Sequence, residues 1–185
     1  DTLDGENLNI DEAEGWLDSW NNKAEATLKS VIGNAYKLKK NTMDYDARAE
    51  IMLSGTIAHS GILGLGREED WASHRIGHEI TALYGTTHGV TLSIVFPGWM
   101  RYVYKENIQR FFRFAVEVFG VTRDGKSLEE IALEGIHEFE NFLKAINMPV
   151  RLSEIDIPAD QFQLMAKKCT NGGTVGRFKA LDEQD

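Results

Sequence analysis

Apolar residues that recur every three or four positions are the feature that most limits what this chain can fold into. The clearest stretch begins at Ser127, where Ser127 and Glu130 form a capping box: the serine can accept a backbone N–H and the glutamate can reach back to the helix start. Pro149 marks its end. The apolar face consists of Leu128, Ile131, Ala132, Gly135, Ile136, Phe139, Phe142, Leu143 and Ile146. With only 3 prolines and almost no alternating strand pattern, the sequence predicts an all-α fold.

Further segments carry the same helical spacing. The predicted helices cover residues 24–38, 46–63, 70 or 71 to 84, 88–104, 107–119 and 160–169, and residues 171–176 are predicted to form a loop. Asp46 is predicted to cap the second of these helices, Gly85 to close the third, and Pro97 to bend or interrupt the fourth. Because no repeat or linker divides the chain, residues 1–185 are predicted to form a single helical domain, with residues 1–22 as an uncertain boundary segment.

Charge and cysteine content restrict partners and compartment. The net charge of −9 argues against a nucleic acid or an anionic membrane surface as a partner, because both need clustered cations. The single cysteine, Cys169, excludes an intrachain disulfide and favours a reducing, cytoplasmic location. The chain begins at Asp1 without an initiator Met, which suggests a truncated or processed protein.

Three of the five histidines fall within fifteen residues and form the cluster that could carry chemistry. His74 and His78 are four residues apart and share a helix face, and Gly85 lets the chain reverse so that His88 can return to them. Imidazole is a common ligand for zinc and iron, although a histidine pair at this spacing is also typical of an ordinary helix surface. The zinc-protease motif does not apply, because Glu79 follows the second histidine rather than the first.

Several segments resemble the iron-containing alcohol dehydrogenases of the butanol-dehydrogenase type. Residues 45–52 are similar to the helix that leads to the metal in that family, residues 71–89 and 95–100 to its metal-binding region, and residues 172–176 with 181–182 to its C-terminal turn. The resemblance covers most of the chain and is densest at residues 45–100. It implies a helical bundle like the C-terminal domain of these dehydroquinate synthase-like enzymes.

The resemblance also implies roles for the histidines. His74 and His88 match two metal ligands, and His78 matches a residue near the metal and the nicotinamide, with a role in proton relay or cofactor contact. The family's other ligands come from an upstream Asp-x-x-x-His segment, but no histidine precedes His59 in this chain. The family's Gly-Gly-Gly-Ser phosphate loop is also absent from the chain. The resemblance therefore covers only the second half of such an enzyme.

The implied activity is oxidation of a small primary alcohol, or reduction of an aldehyde, with NAD(P)H as the cofactor of the full-length enzyme. The metal, Fe²⁺ or Zn²⁺, acts as a Lewis acid. The family often forms homodimers, and the isolated chain is expected to be inactive. Two alternatives stay open: a non-catalytic helical dimerisation module, and a metal hydrolase that uses His74, His78 and His88 together.

Overall fold

The computed structural model describes residues 10–185, and of residues 10–17 and 20 it describes the backbone alone. The chain divides into two compact units, Asp1–Leu65 and Gly66–Asp185. The first nine residues of the predicted boundary segment lie outside the described residues. The single domain predicted for residues 1–185 stays a prediction.

The first unit is built from two helices, α1 (Ile10–Lys40) and α2 (Tyr45–His59), followed by a short 3-10 turn at Ile62–Gly64. The cap of α2 is Asp44, whose side chain accepts a hydrogen bond from the Ala47 N–H at 3.0 Å. The prediction of Asp46 as the cap was wrong, because Asp46 lies in the first turn of α2. A capping side chain must stand before that turn to accept a hydrogen bond from its free backbone N–H groups. The helix also ends earlier than predicted, since Gly61 adopts a φ of +77° directly after Ser60.

The second unit contains the remaining helices. Short 3-10 turns connect them at Tyr104–Asn107, Leu152–Ile155 and Ala159–Gln161. Within residues 10–185 no β-strand occurs, and one isolated bridge pairs Val175 with Leu181. The α-helices are α3 (Ala72–Tyr84), α4 (His88–Val103), α5 (Ile108–Phe119), α6 (Leu128–Ala145) and α7 (Phe162–Thr170). The all-α prediction is thus confirmed for the described residues, none of whose helices has the length and apolar character needed to cross a bilayer.

The sequence predicts that Pro97 bends or interrupts α4, and of these two effects the interruption is absent, because the helix continues through Pro97. A proline inside a helix removes one backbone hydrogen bond and crowds the preceding turn. Here the side chain of Pro97 is less than 2% exposed, so its packing in the interior offsets that loss. The helix ends at Val103, and its last buried residues, Met100 and Val103, join a core cluster with Phe111 and Ile136.

Helices α5 and α6 touch through their backbones. The capping box predicted at Ser127 and Glu130 is present, so α6 begins where the sequence indicates. At Gly135 a Cβ atom would lie 2.3 Å from the Cβ of Ala115 and 2.7 Å from its Cα. Only glycine leaves room for this approach, which holds the aromatic side chains of both helices against one core.

We expect Gly135→Ala to lower the free energy of unfolding by roughly 2–3 kcal/mol, because the added methyl group must push a helix backbone away. The matched control is Gly98→Ala in α4, where a Cβ atom would meet nothing within 4 Å. The control should raise the stability by up to about 1 kcal/mol through helix propensity. Urea unfolding monitored by circular dichroism measures both changes, and equal effects of the two substitutions would contradict the close contact.

A buried carboxylate joins three segments of the second unit. Glu140 in α6 is 2% exposed and accepts hydrogen bonds from Arg101 Nη2 in α4 at 2.8 Å and from Arg151 Nη1 at 2.9 Å. Burial by itself raises the pKa of Glu140, but the hydrogen bonds and charges of Arg151 and Arg101 outweigh it and hold the pKa below its usual value. The carboxylate is therefore ionised at neutral pH and stabilises the fold in that form.

The sign of this pKa change predicts a pH dependence. Since the folded-state pKa of Glu140 lies below the unfolded-state value of about 4.3, its contribution is complete above that value and is lost as pH falls through the folded-state pKa. We expect Glu140→Gln to cost about 2 kcal/mol of unfolding free energy at pH 7 and progressively less below pH ~4. Glu134→Gln is the control, because Glu134 pairs with Lys126 at a half-exposed site and should contribute less than ~1 kcal/mol. Urea unfolding at several pH values measures the difference, and a cost that does not change with pH would argue against the assignment.

Candidate metal and substrate site

A sharp turn between α3 and α4 returns His88 to the preceding helix. Gly85 has a φ of +68°, and its N–H donates to the Thr81 carbonyl at 2.9 Å to close α3. Helix α4 begins three residues later and packs against α3 so closely that a Cβ atom on Gly77 would lie 3.0 Å from the Thr91 hydroxyl. A non-glycine residue at position 85 would be strained in this conformation, so Gly85 makes the reversal possible.

The reversal brings three imidazole rings together. The centroids of the His74 and His88 rings are 5.5 Å apart, and those of His78 and His88 are 4.8 Å apart. His74 and His88 are half-buried, whereas His78 is exposed. The Nδ1 atom of His88 is buried and has no hydrogen-bond partner among the described residues. The convergence that the spacing predicted is present, while the roles of these histidines as ligands and relay stay predictions.

The ring separations are compatible with a shared cation. A ring centroid lies roughly 3.2 Å from an ion that the ring nitrogen binds at ~2.1 Å, so two such rings at a tetrahedral angle stand about 5.2 Å apart. Among the described residues, however, no group of three or more His, Cys, Asp or Glu side chains is arranged to hold a metal ion. The centroid separation of His74 and His88 is therefore compatible with a pair of ligands, and the described residues give no support to the three-histidine hydrolase.

A cleft of about 650 Å³ lies between α3 and α7, beside this cluster. Trp71, the N-cap of α3, and the helix residues three, four, seven and eight positions after it line one wall, a spacing that places them on one helical face. This half of the wall could have been found in the sequence, whereas the α7 half, about ninety residues further along the chain, carries no local signal. The lining residues are Trp71, His74, Arg75, His78, Glu79, Lys168, Cys169 and Asn171.

Two tryptophans, Trp71 and Trp99, flank the histidine motif, and they lie in different surroundings. Trp71 is 53% exposed at the cleft and meets His74 edge-on, with ring centroids 5.0 Å apart. Trp99 instead stacks on Phe96 at 5.5 Å and packs in the core. Of the two, Trp71 therefore faces the cleft, where its ring shields one side of His74.

The thiol of Cys169 is part of the cleft wall, but its environment does not suit a nucleophile. Burial raises its pKa, the charge of Glu79 raises it further, and the charge of Arg75 opposes them only in part. The reactive form of cysteine is the thiolate, so a raised pKa keeps Cys169 in its unreactive form at neutral pH.

Asp70 stands four residues before His74, and both oxygens of its carboxylate accept hydrogen bonds from backbone N–H groups. Its Oδ1 accepts a hydrogen bond from the Ala72 N–H at 2.8 Å. Its Oδ2 accepts bonds from the N–H groups of Arg177 at 2.6 Å and Phe178 at 2.9 Å. The sequence marks Asp70 as a possible helix start, but a contact across more than one hundred residues could not be predicted from it.

Comparison with known protein families gives a match over most of the chain. The family described as "Fe-containing alcohol dehydrogenase family, C-terminal" matches residues 18–185. This chain belongs to the Fe-containing alcohol dehydrogenase family. The resemblance seen in residues 45–52, 71–89 and 95–100 and in the C-terminal turn is thereby confirmed, and so is the helical C-terminal fold that it implies.

Individual relatives agree with this assignment. The chain is 42% identical over 161 residues to the probable NADH-dependent butanol dehydrogenase 1 of Bacillus subtilis, a match that covers 87% of this chain and 42% of that protein. It is 31% identical over 150 residues to the NADPH-dependent aldehyde reductase YqhD of Escherichia coli, covering 81% of this chain and 38% of that protein. The crystal structure of NADH-dependent butanol dehydrogenase A from Thermotoga maritima superposes with a TM-score of 0.84 at 37% identity, over 90% of this chain and 44% of that one. The chain thus spans about two fifths of the length of these relatives.

Proposed function

We propose that this chain forms the metal- and substrate-facing part of an NAD(P)-dependent alcohol dehydrogenase that interconverts a small primary alcohol and an aldehyde. The observation that carries the proposal is the closeness of the His74 and His88 rings, 5.5 Å between centroids, beside a cleft. The names of similar proteins, which include butanol dehydrogenases and an aldehyde reductase, support the substrate class.

His74 and His88 would hold a divalent cation, Fe²⁺ or Zn²⁺, through one ring nitrogen each. A bound cation supplies a Lewis acid that stabilises negative charge on the substrate oxygen. The two helices contribute rigidity, because both rings stand on α3 and α4 rather than on loops. Trp71 covers one side of the His74 ring, which it contacts edge-on at the cleft.

His78 is proposed to move the proton of the alcohol and to contact the nicotinamide. Its exposure allows proton exchange with water, and its ring lies beside that of His88.

The coenzyme of the full-length enzyme is NADH or NADPH, since the similar proteins named above include both kinds. The isolated chain is expected to be inactive, because two imidazoles hold a labile ion poorly. For the whole enzyme we infer a homodimer in the cytoplasm, the location that the single cysteine favours.

A hybrid enzyme tests the proposed function directly. Residues 18–185 of this chain replace the matching part of the Bacillus subtilis butanol dehydrogenase, with which they share 42% identity over 161 residues. We expect butanol-dependent reduction of NAD⁺ that is removed by a chelator and restored by Fe²⁺ or Zn²⁺. His74→Ala or His88→Ala should lower kcat at least about 100-fold, equivalent to ~3 kcal/mol of transition-state stabilisation.

The control for this assay is His137→Ala, because His137 is exposed on α6. It should leave kcat unchanged, and all variants should keep the cooperative thermal transition of the parent hybrid. The proposed function would be refuted by a folded hybrid whose turnover of alcohols and aldehydes changes neither with the metal nor with the His74→Ala substitution.

Exposed apolar side chains favour a second candidate function, self-association through the first unit. Tyr45 is 80% exposed and Met52 73%, and their separation of seven residues places both on one face of α2. Met43 (79%) lies two residues before Tyr45, and Leu53 (55%) directly follows Met52. Water-exposed apolar side chains of this size suit contact with a second copy of the chain.

For this candidate we expect the sedimentation coefficient of the isolated chain to rise with concentration. Met52→Glu should remove the dependence, because a charge in an apolar contact opposes association. Leu164→Glu is the control, since Leu164 is 41% exposed on α7 in the second unit and should not alter association. Sedimentation as a monomer at every attainable concentration would exclude the dimerisation module.

A further inference from the structure

One carboxylate connects the start of α3 with the end of the chain. Asp70 lies just before α3, and its Oδ1 accepts the Ala72 N–H of the first turn at 2.8 Å. Its Oδ2 accepts two N–H groups of the C-terminal segment, those of Arg177 at 2.6 Å and Phe178 at 2.9 Å. Both oxygens are thus used, one for the helix and the other for the segment.

Residues 174–181, the C-terminal loop, fit this site closely. Val175 and Leu181 exchange backbone hydrogen bonds of 2.9 and 2.8 Å, and both pack against Ala72 in a small core cluster. Gly176 has a φ of +92°, and a Cβ atom there would lie 2.5 Å from the Lys179 carbonyl and 3.0 Å from Asp70 Oδ2. The loop therefore docks on the start of α3 only with glycine at position 176 and an acceptor at position 70.

The docked region carries the residues of the candidate site. Trp71 follows Asp70 directly, and its ring contacts that of His74, the centroids being 5.0 Å apart. Trp71 is the N-cap of α3 and His74 lies in its first turn. A shift of the backbone at the start of α3 would therefore move both rings. The neighbour of His74 in the cluster, His88, is fixed independently by α4.

We propose that Asp70 is a positioning residue: it docks the C-terminal loop onto the start of α3 and thereby sets Trp71 and His74 in the arrangement that cation binding requires. The proposal rests on the proposed function for its consequence, but the ring arrangement itself exists without a cation. An amide cannot replace this carboxylate. Asparagine has a single acceptor oxygen, so its NH₂ group would face either the Ala72 N–H or those of Arg177 and Phe178.

The test uses the 185-residue chain, isotope-labelled for NMR, in two measurements. The first is the nuclear Overhauser effect between the Trp71 and His74 ring protons in the metal-free chain. The second is the dissociation constant for Co²⁺, taken from the paramagnetic broadening of the His74 and His88 ring signals. The variants are Asp70→Asn and Gly176→Ala, and the second keeps the bond between Asp70 and Ala72 should the first fail to fold.

Matched controls separate positioning from general stability. Ser127→Ala removes the cap of α6 in the same unit. Gly172→Ala adds a methyl group at a similar φ of +77°, where it meets nothing within 4 Å. Both should lower the urea midpoint while leaving the ring contact and the Co²⁺ affinity as in the parent chain.

We expect both test variants to lose the contact between Trp71 and His74 and to bind Co²⁺ roughly 10- to 100-fold more weakly, the range found when groups that orient metal ligands are removed. A lower urea midpoint with an unchanged ring contact and Co²⁺ affinity would overturn the proposal and leave Asp70 a purely structural role. Equal losses in the Ser127→Ala control would overturn it too. If the parent chain shows no preferential broadening of His74 and His88, the ring contact alone decides the role of Asp70, and the hybrid enzyme decides the proposed metal site.

Discussion

The reversal at Gly85 is the constraint on which the site of this protein depends. Helix α3 ends in a left-handed residue, a conformation that glycine adopts without strain, and the next helix then begins with His88 beside α3. The close approach of Gly77 to Thr91 holds the two helices at that distance. The histidines meet because two glycines permit the backbone to turn and to pack tightly, and the imidazoles themselves contribute nothing to the turn.

The rest of the second unit provides a rigid support for this pair of helices. Helix α4 is tied to α6 by the ion pair of Arg101 with the buried Glu140, and α6 is in backbone contact with α5 at Gly135. Aromatic side chains, among them Phe96, Phe111 and Phe139, fill the space between these helices. The site thus stands on elements whose positions are set by packing far from the histidines.

Local signals account for what the sequence could predict. The capping box at Ser127, the positive φ at Gly85 and the i, i+4 pair of His74 and His78 each act within a few residues, so a pattern is enough to find them. The cap of α2 was assigned two residues late, at Asp46 instead of Asp44, because neighbouring aspartates give the same signal. The bonds of Asp70 to Arg177 and Phe178 and the α7 wall of the cleft depend on tertiary packing, and no local pattern encodes them.

His74 and His88 stand on helices, so the fold around them would not depend on a cation at the proposed site. In small zinc domains the ion organises the chain, so chelators unfold them. Here apolar side chains pack in buried clusters along both helices, among them Ile80 on α3 and Met100 on α4. A cation at the proposed site would therefore leave and return without denaturing the chain, and the preference among divalent ions would follow from the number and softness of the donor atoms.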